Sequence, residues 1–219
     1  MRFALYGYWR SSSSWRVRIG LNLKGVAWEY RAVNLKKGEQ RGEDHLERNP
    51  TSQIPVLEVE EDGEVHHLAQ SMAILEWVEE RFPSPRLLPS DPYGRARVRM
   101  LAEHVNSGIQ PFQNQAPLLW LRSKIENGDK QWVQHWIRVG LTALERATRE
   151  GAGRFCHGDE VTLADLYLVP QLYSARRFGV DLLAYPTLVA IEEQCREIDA
   201  FRRAEADAQP DAPPPDQRR

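Results

Sequence analysis

Hydrophobic and polar positions change period along this chain, and the changes outline its elements. Phe3 and Leu5 recur at period two in the short aromatic run Phe3–Tyr8, which predicts a strand. After a polar loop, Trp15–Lys24 carries Val17, Leu21 and Lys24, with Ile19 and Leu23 beside them, at helical spacing, and Gly25 closes the segment. Trp28–Leu35 alternates again. Strand, helix and strand within ~30 residues predict a βαβ unit, hence a parallel pair with a right-handed crossover. The charged stretch Lys36–Arg48 has no decisive pattern. Beyond it, Val56–Glu60 and Glu64–Leu68 flank Asp62-Gly63, a strong hairpin signal. Ser71 is then expected to cap a helix with Leu75, Val78 and Phe82 on one face.

The order β-α-β-(α)-β-β-α is that of an α/β thioredoxin-like domain with a mixed four-stranded sheet, expected over residues 1–83. Four prolines and two serines between Pro83 and Pro92 predict a linker, residues 84–91. Everything from 92 to 203 reads as helix, an all-α domain. Val98, Leu101, Val105 and Ile109 form one stripe, and Val133, Ile137, Leu141 and Leu144 another. Thr162-Leu163-Ala164-Asp165 is a capping box, which points to folding and not to catalysis. From residue 204 to 219 the tail has four prolines, several charges and no period, and is expected to be disordered.

Composition narrows the function. Among 219 residues, 29 Lys and Arg stand against 31 Asp and Glu, a formal charge of −2. Nucleic-acid binders usually carry a basic surplus, so no nucleic-acid partner is expected. Two cysteines, Cys156 and Cys195, are too few to staple such a fold and suggest a reducing compartment. No long apolar run opens the chain, and none approaches the ~18–20 residues needed to span a bilayer. A cytoplasmic protein without a membrane partner is the expectation.

Several chemistries lack their residues. There is no G-x-S-x-G elbow and no Walker A loop. Gly151-Ala152-Gly153 follows a helical stretch and lacks a third glycine. His66-His67 and Cys156-His157 lack zinc spacing, so no metal is expected. The informative segment is Arg10-Ser11-Ser12-Ser13-Ser14-Trp15-Arg16-Val17-Arg18. Its serines alone read equally as a flexible loop ending in an N-cap. Their position matters more, because they follow the first strand and open the first helix, where free N–H groups and the dipole favour an anion. A thioredoxin-like fold holds a thiolate there. This chain has no cysteine at that point, so the thiolate would have to come with a ligand.

The segment resembles the S-S-C-x-W-R-V-R-I-A-L signature of zeta-class glutathione transferases, which include maleylacetoacetate isomerases. The likeness extends through Asn49-Pro50, Gln53-Ile54-Pro55, Gln70-Ser71, Pro85–Pro89, Gly108–Pro111, Gln113-Asn114, Gly158–Asp165, Leu168–Gln171 and Arg177–Leu182, nearly to Arg203. It implies glutathione as cofactor, a homodimer, and an active site in the cleft between the two domains. Ser11 takes the place of the family's serine that donates to the thiolate, with Ser12 as a second donor. Ser13 stands where the family usually has cysteine. Gln70 and Ser71 would bind the γ-glutamyl carboxylate. Ile54-Pro55 resembles the family's cis-proline junction, where the Ile54 main chain pairs with the ligand. Gln40, Gln110 and Asn114 match further glutathione contacts.

The implied activity is glutathione-dependent cis–trans isomerisation of a maleyl diacid, maleylacetoacetate to fumarylacetoacetate in tyrosine and phenylalanine breakdown. Maleylpyruvate isomerisation, and conjugation or dehalogenation of small α-halo acids, are the enzymatic alternatives; a non-catalytic glutathione-fold binding module is the alternative of another kind. Arg177 matches a family arginine and would grip a substrate carboxylate, with Arg10 and Arg176 as further candidates. Without the resemblance, Arg176 and Arg177 read as a basic helix end opposing the dipole. The seven tryptophans read as core or interface, and His45, His104 and His135 have no arrangement suggesting a general base.

Overall fold

Strand β1 (Arg2–Gly7) pairs in parallel with β2 (Glu29–Ala32) and antiparallel with β3 (Val56–Glu61), which continues antiparallel to β4 (Glu64–Ala69). The sheet order is therefore β2-β1-β3-β4. This is a computed structural model, and it describes residues 1–126 and 128–217. Leu5 pairs with Tyr30 on one side and with Leu57 on the other, which fixes the register that buries both leucines. Asp62 and Gly63 both take positive φ, 52° and 85°, as a two-residue turn between right-twisted strands requires. The mixed four-stranded sheet matches the expected α/β domain.

Helix α1 (Ser12–Leu23) starts three residues earlier than the apolar spacing predicts. The serine run is the first turn of the helix and not a loop before it, because Ser11 takes the N-cap position. The unpatterned stretch 36–48 forms a 3-10 turn, Glu39–Arg41, and a short helix α2 (Glu43–Arg48). Helix α3 (Ser71–Arg81) follows the hairpin. Its N-cap is Gln70 at φ 69°, not Ser71, which is the first helical residue. Lys24 at the end of α1 donates to Glu79 of α3 at 2.5 Å, a buried ion pair between the two helices.

The chain divides into two compact units, and the boundaries differ from the expected ones. The first joins Met1–Arg86 to the chain from Ile198 onward; the second is Leu87–Glu197. The expected linker is only partly a linker: Leu87 and Leu88 are buried, and the Leu87 carbonyl accepts from Leu163 N–H at 2.9 Å. The expectation of a disordered tail is overturned for its described residues. Helix α9 (Asp199–Ala204) packs on α1, and beyond it a 3-10 turn spans Ala206–Ala208. Buried Gln209 closes that turn by donating to the carbonyls of Arg203 and Glu205. Proline and charge mark a segment with little apolar surface, but they do not register main-chain hydrogen bonds.

The second unit contains α4 (Pro92–Asn106), α5 (Gln115–Arg122), α6 (Gly128–Arg149), α7 (Leu163–Arg177) and α8 (Pro186–Arg196). Helix α9 (Asp199–Ala204) belongs to the first unit. The stripes Val98-Leu101-Val105 and Val133-Ile137-Leu141-Leu144 are buried on α4 and α6. The capping box forms at the start of α7, with the Thr162 N–H and hydroxyl both donating to Asp165. No described helix is long and apolar enough to cross a membrane.

Candidate functional site

The serine segment is built by the end of β1. Gly7 ends that strand, and a Cβ there would stand 3.1 Å from the Cβ and Oγ of Ser14, so a side chain would push the start of the helix away by a few tenths of an ångström. The chain then turns: Ser11 N–H donates to the Tyr8 carbonyl at 3.0 Å. Ser11 is extended (φ −67°, ψ 117°), and its Oγ accepts from Ser14 N–H at 3.3 Å. The first intrahelical bond runs from Trp15 N–H to the Ser11 carbonyl. The N–H groups of Ser12 and Ser13 thus precede the ladder and have no intrahelical acceptor. Ser11 and Ser12 are half-buried, and Ser13 is buried. Accepting from Ser14 leaves the Ser11 hydroxyl proton to point elsewhere. The local chemistry is that of an anion-binding helix end with a hydroxyl donor.

Sequence spacing did not single out Arg16 and Arg18, yet both are fully buried. Arg16 Nη1 donates to the Ser71 hydroxyl at 3.2 Å, which ties α1 to the first residue of α3. The sequence signal is two cations interleaved with the apolar Trp15, Val17, Ile19 and Leu21. Gln70, before Ser71, holds a positive φ that side chains rarely adopt, and its amide reaches Gln53 Oε1 at 3.4 Å.

The segment leading into β3 is fixed from several directions. The Gln53 carbonyl accepts from His45 Nε2 at 2.9 Å and from Asn49 Nδ2 at 2.8 Å. Ser52 donates to the Gln40 carbonyl at 2.7 Å. Ile54-Pro55 is cis, and Ile54 packs on Tyr6, Val33 and Val56. Gln40 is buried, and its Oε1 has no hydrogen-bond partner among the described residues. A buried acceptor of this kind costs free energy unless something supplies a donor. Gln40, the Gln53–Pro55 segment, Gln70, Ser71 and the start of α1 all belong to the first unit. The unpartnered Gln40 oxygen and the open N–H groups of α1 fit a peptide-like ligand carrying both donors and an anion.

The remaining expected residues lie in the second unit, apart from Arg10. Gln110 donates to Asn114 Oδ1 at 2.7 Å. The 3-10 turn Gln110–Gln113 between them is anchored by the buried Gln113–Gln171 pair at 2.6 Å. Phe112 stacks on Trp136, centroids 4.5 Å apart, and accepts through its carbonyl from the Trp132 indole. Arg177 is exposed in the last turn of α7, its guanidinium 4.2 Å from the Phe178 ring centre. Arg176 is engaged differently: both its terminal nitrogens donate to the Glu192 carboxylate, and those bonds raise its pKa. Arg10 lies over the Trp9 ring at 5.4 Å. Cys156 and Cys195 are buried, and burial pushes both thiols well up, away from nucleophilic use. No group of residues suited to a metal ion occurs among the described residues.

Comparison with known proteins gives consistent results. Residues 10–81 match the family model for the glutathione S-transferase N-terminal domain. The chain is 45% identical over 212 residues to the probable maleylacetoacetate isomerase 2 of Drosophila melanogaster, covering 96% of this chain and 90% of the fly protein. It is 47% identical over 213 residues to the maleylpyruvate isomerase of a Ralstonia species, covering 95% and 99%. The crystal structure of maleylacetoacetate isomerase from Anaeromyxobacter dehalogenans 2CP-1 with bound GSH in the active site superposes with a TM-score of 0.92. It is 62% identical and covers 97% of this chain and 98% of that one.

Proposed function

The chain belongs to the glutathione S-transferase family, in its zeta class of maleylacetoacetate isomerases, and on that premise we propose that it catalyses the glutathione-dependent cis–trans isomerisation of a maleyl diacid. The proposed substrate is maleylacetoacetate, converted to fumarylacetoacetate in tyrosine and phenylalanine breakdown. The observation that carries this reading is the start of α1, where Ser11 caps the helix beside two N–H groups without intrahelical acceptors.

Glutathione supplies the nucleophile, a thiolate that adds to the cis double bond conjugated to the ketone and leaves after rotation, so that it is returned unchanged. The chain's own residues make that thiolate available. A free thiol of pKa ~8.5 is mostly protonated near neutrality. Donation from the Ser11 hydroxyl, supported by Ser12 and the positive end of α1, favours the ionised form. Ser13 occupies the family's cysteine position, so the reaction proposed here uses no protein sulfur.

Gln70, Ser71 and the N-terminus of α3 bind the γ-glutamyl carboxylate in this reading, and Gln40 meets a ligand donor with its buried amide oxygen. The Ile54 main chain, just before β3, pairs with the cysteinyl main chain as an added strand would. Gln110 and Asn114 are further glutathione contacts. The Arg177 guanidinium grips a substrate carboxylate, and Arg10 offers a second cation. Arg176 is the weakest of the three, because it is already paired with Glu192. A homodimer and a cytoplasmic setting complete the proposal on family grounds.

A maleylpyruvate substrate is the second reading, favoured by the 47% identity to the Ralstonia enzyme. The test follows the loss of maleylacetoacetate and of maleylpyruvate with and without catalytic amounts of glutathione. Turnover of either diacid that depends on glutathione supports the proposal, and the faster of the two identifies the substrate. Equal rates without glutathione overturn the mechanism.

A further inference from the structure

The main chain that delivers Ser11 is held by groups outside the serine segment. Arg18, buried on α1, donates through Nη2 to the Trp9 carbonyl at 2.9 Å and through Nη1 to the Tyr8 carbonyl at 3.4 Å. The Tyr8 carbonyl is the one that also accepts from Ser11 N–H. The same guanidinium donates through Nε and Nη2 to the carbonyl of Ala204, the last residue of α9, at 3.0 and 2.9 Å. Just past that helix the chain folds back, and Asp211 Oδ2 accepts from Trp9 N–H at 3.0 Å. Every main-chain polar group of Trp9 is thereby engaged, one by Arg18 and the other by the tail.

We propose that Asp211 and Arg18 are positioning residues for the Ser11 hydroxyl, the C-terminal strap and the buried guanidinium together fixing the turn Tyr8–Ser11. This rests on the reading of Ser11 as donor to the glutathione thiolate. Trp9 is 2% exposed, so an N–H left without its acceptor there carries a desolvation cost and the turn relaxes to recover it. Two residues further on, a hydroxyl that must meet a sulfur within hydrogen-bond range tolerates little displacement. Burial pushes Arg18 down to about 10, with Tyr30 and Asp211 acting in the opposite direction. The Tyr30 hydroxyl is raised by burial first and then by the Asp211 carboxylate. Asp211 therefore faces Arg18 and Tyr30 as well as the Trp9 N–H. The strap also forms part of the wall of a cavity lined by Tyr8, Trp9, Asn34 and Lys36.

The test uses the full chain with Asp211→Ala, Asp211→Asn, Ser11→Ala and the double variant Ser11→Ala/Asp211→Ala. The bound glutathione thiol is titrated by thiolate absorbance, beside kcat, KM and a melting curve for each protein. Asp211 is half-buried, and asparagine keeps an acceptor for Trp9 N–H, so at least one variant reports on a folded protein. Asp211→Ala is expected to raise the bound-thiol pKa by about half to one pH unit, a roughly three- to tenfold loss of thiolate at pH values below that pKa. Asp211→Asn restores most of it, and in the Ser11→Ala background Asp211→Ala adds nothing. An unchanged thiol pKa in Asp211→Ala, with a raised one in Ser11→Ala, overturns the positioning role and leaves the Ser11 reading standing. A full Asp211→Ala shift that persists without Ser11 overturns it as well. No shift in Ser11→Ala removes the Ser11 reading and this proposal with it.

Discussion

Arg16 Nη1 and Ser71 Oγ lie 3.2 Å apart, joining the helix that opens on the serine segment to the first residue of α3 across 55 positions of sequence. Two helix N-termini thus share a buried cation. Each offers open N–H groups, which favour an anion. A buried guanidinium bonded between them adds positive charge to both and resists any change in their separation.

Ser71→Ala removes the hydroxyl that accepts from Arg16 Nη1, a buried hydrogen bond to a charged group. A hydrogen bond to a charged group contributes about 1.5–3 kcal/mol. The expected outcome is an unfolding free energy lower by that amount and a raised KM for glutathione, with kcat less affected, since the loss falls on ligand binding. Steady-state kinetics over a glutathione series, beside urea unfolding, check it. An unchanged KM with the expected loss of stability would restrict Ser71 to a structural role.

Ser11 has an observed role and a proposed one, and substitution can separate them. As an N-cap it accepts from Ser14 N–H. Replacing such a cap by alanine costs about 1 kcal/mol, and replacing it by glycine only a few tenths. As the thiolate donor its loss costs far more in rate, on the order of 10²-fold for one preorganised donor. Ser11→Gly is therefore expected to melt close to the parent protein and to lose about 10²-fold in kcat. Thermal unfolding and isomerase rates measured on one preparation decide between cap and donor.

The sheet was legible because its strands alternate and Asp62-Gly63 can occupy two left-handed positions at once. The long stripes of α4 and α6 were legible for the same reason of period. The start of α1 was not, since serines favour caps and loops and say nothing about which of four takes the cap. The local sequence also placed the α3 cap at Ser71, one residue late, because it cannot show that Gln70 accepts a strained φ. The site's supports were hidden more deeply. Arg16, Arg18, Asn49 and His45 act on main-chain or hydroxyl groups far away or around a turn, and no residue spacing encodes those partners. The order of the tail has no such pattern, because it rests on the Ala204 carbonyl, one aspartate and isolated buried alanines and not on an apolar stripe.

Arg176 and Arg177 are neighbours on α7 with different surroundings. Arg176 is held by Glu192, which is 1% exposed and also accepts from Arg196. Arg176→Ala should cost about 1 kcal/mol, small because Arg196 still pairs with Glu192 and the arginine itself is half-exposed. Its KM for the diacid should stay near that of the parent. Arg177→Ala is expected to raise the KM for the diacid about tenfold, the loss of roughly 1.4 kcal/mol of carboxylate binding. The reverse pattern, with KM moved by Arg176→Ala alone, would transfer the substrate contact to Arg176.

Glu145 of α6 gives the second unit a defined acid response. Its carboxylate caps α8 from another helix, accepting from Thr187 N–H at 3.2 Å and Leu188 N–H at 3.1 Å, with Arg149 at 2.9 Å. The residue at the N-cap itself, Tyr185, makes no side-chain cap bond. Burial opposes the charge, but the hydrogen bonds from Thr187, Leu188 and Arg149 outweigh it and hold Glu145 below the usual carboxylate range. A pKa lower in the folded than in the unfolded chain means that the unfolded chain takes up protons first as pH falls. The stabilisation is therefore complete above the ordinary glutamate value near ~4.3 and is lost as pH falls from there through the folded pKa. Glu145→Gln keeps one amide oxygen to accept but abolishes the titration. Urea midpoints measured from neutrality down to acid should fall less steeply below about pH 4.5 in Glu145→Gln than in the parent. Parallel acid limbs for the two proteins would show that Glu145 does not carry this dependence.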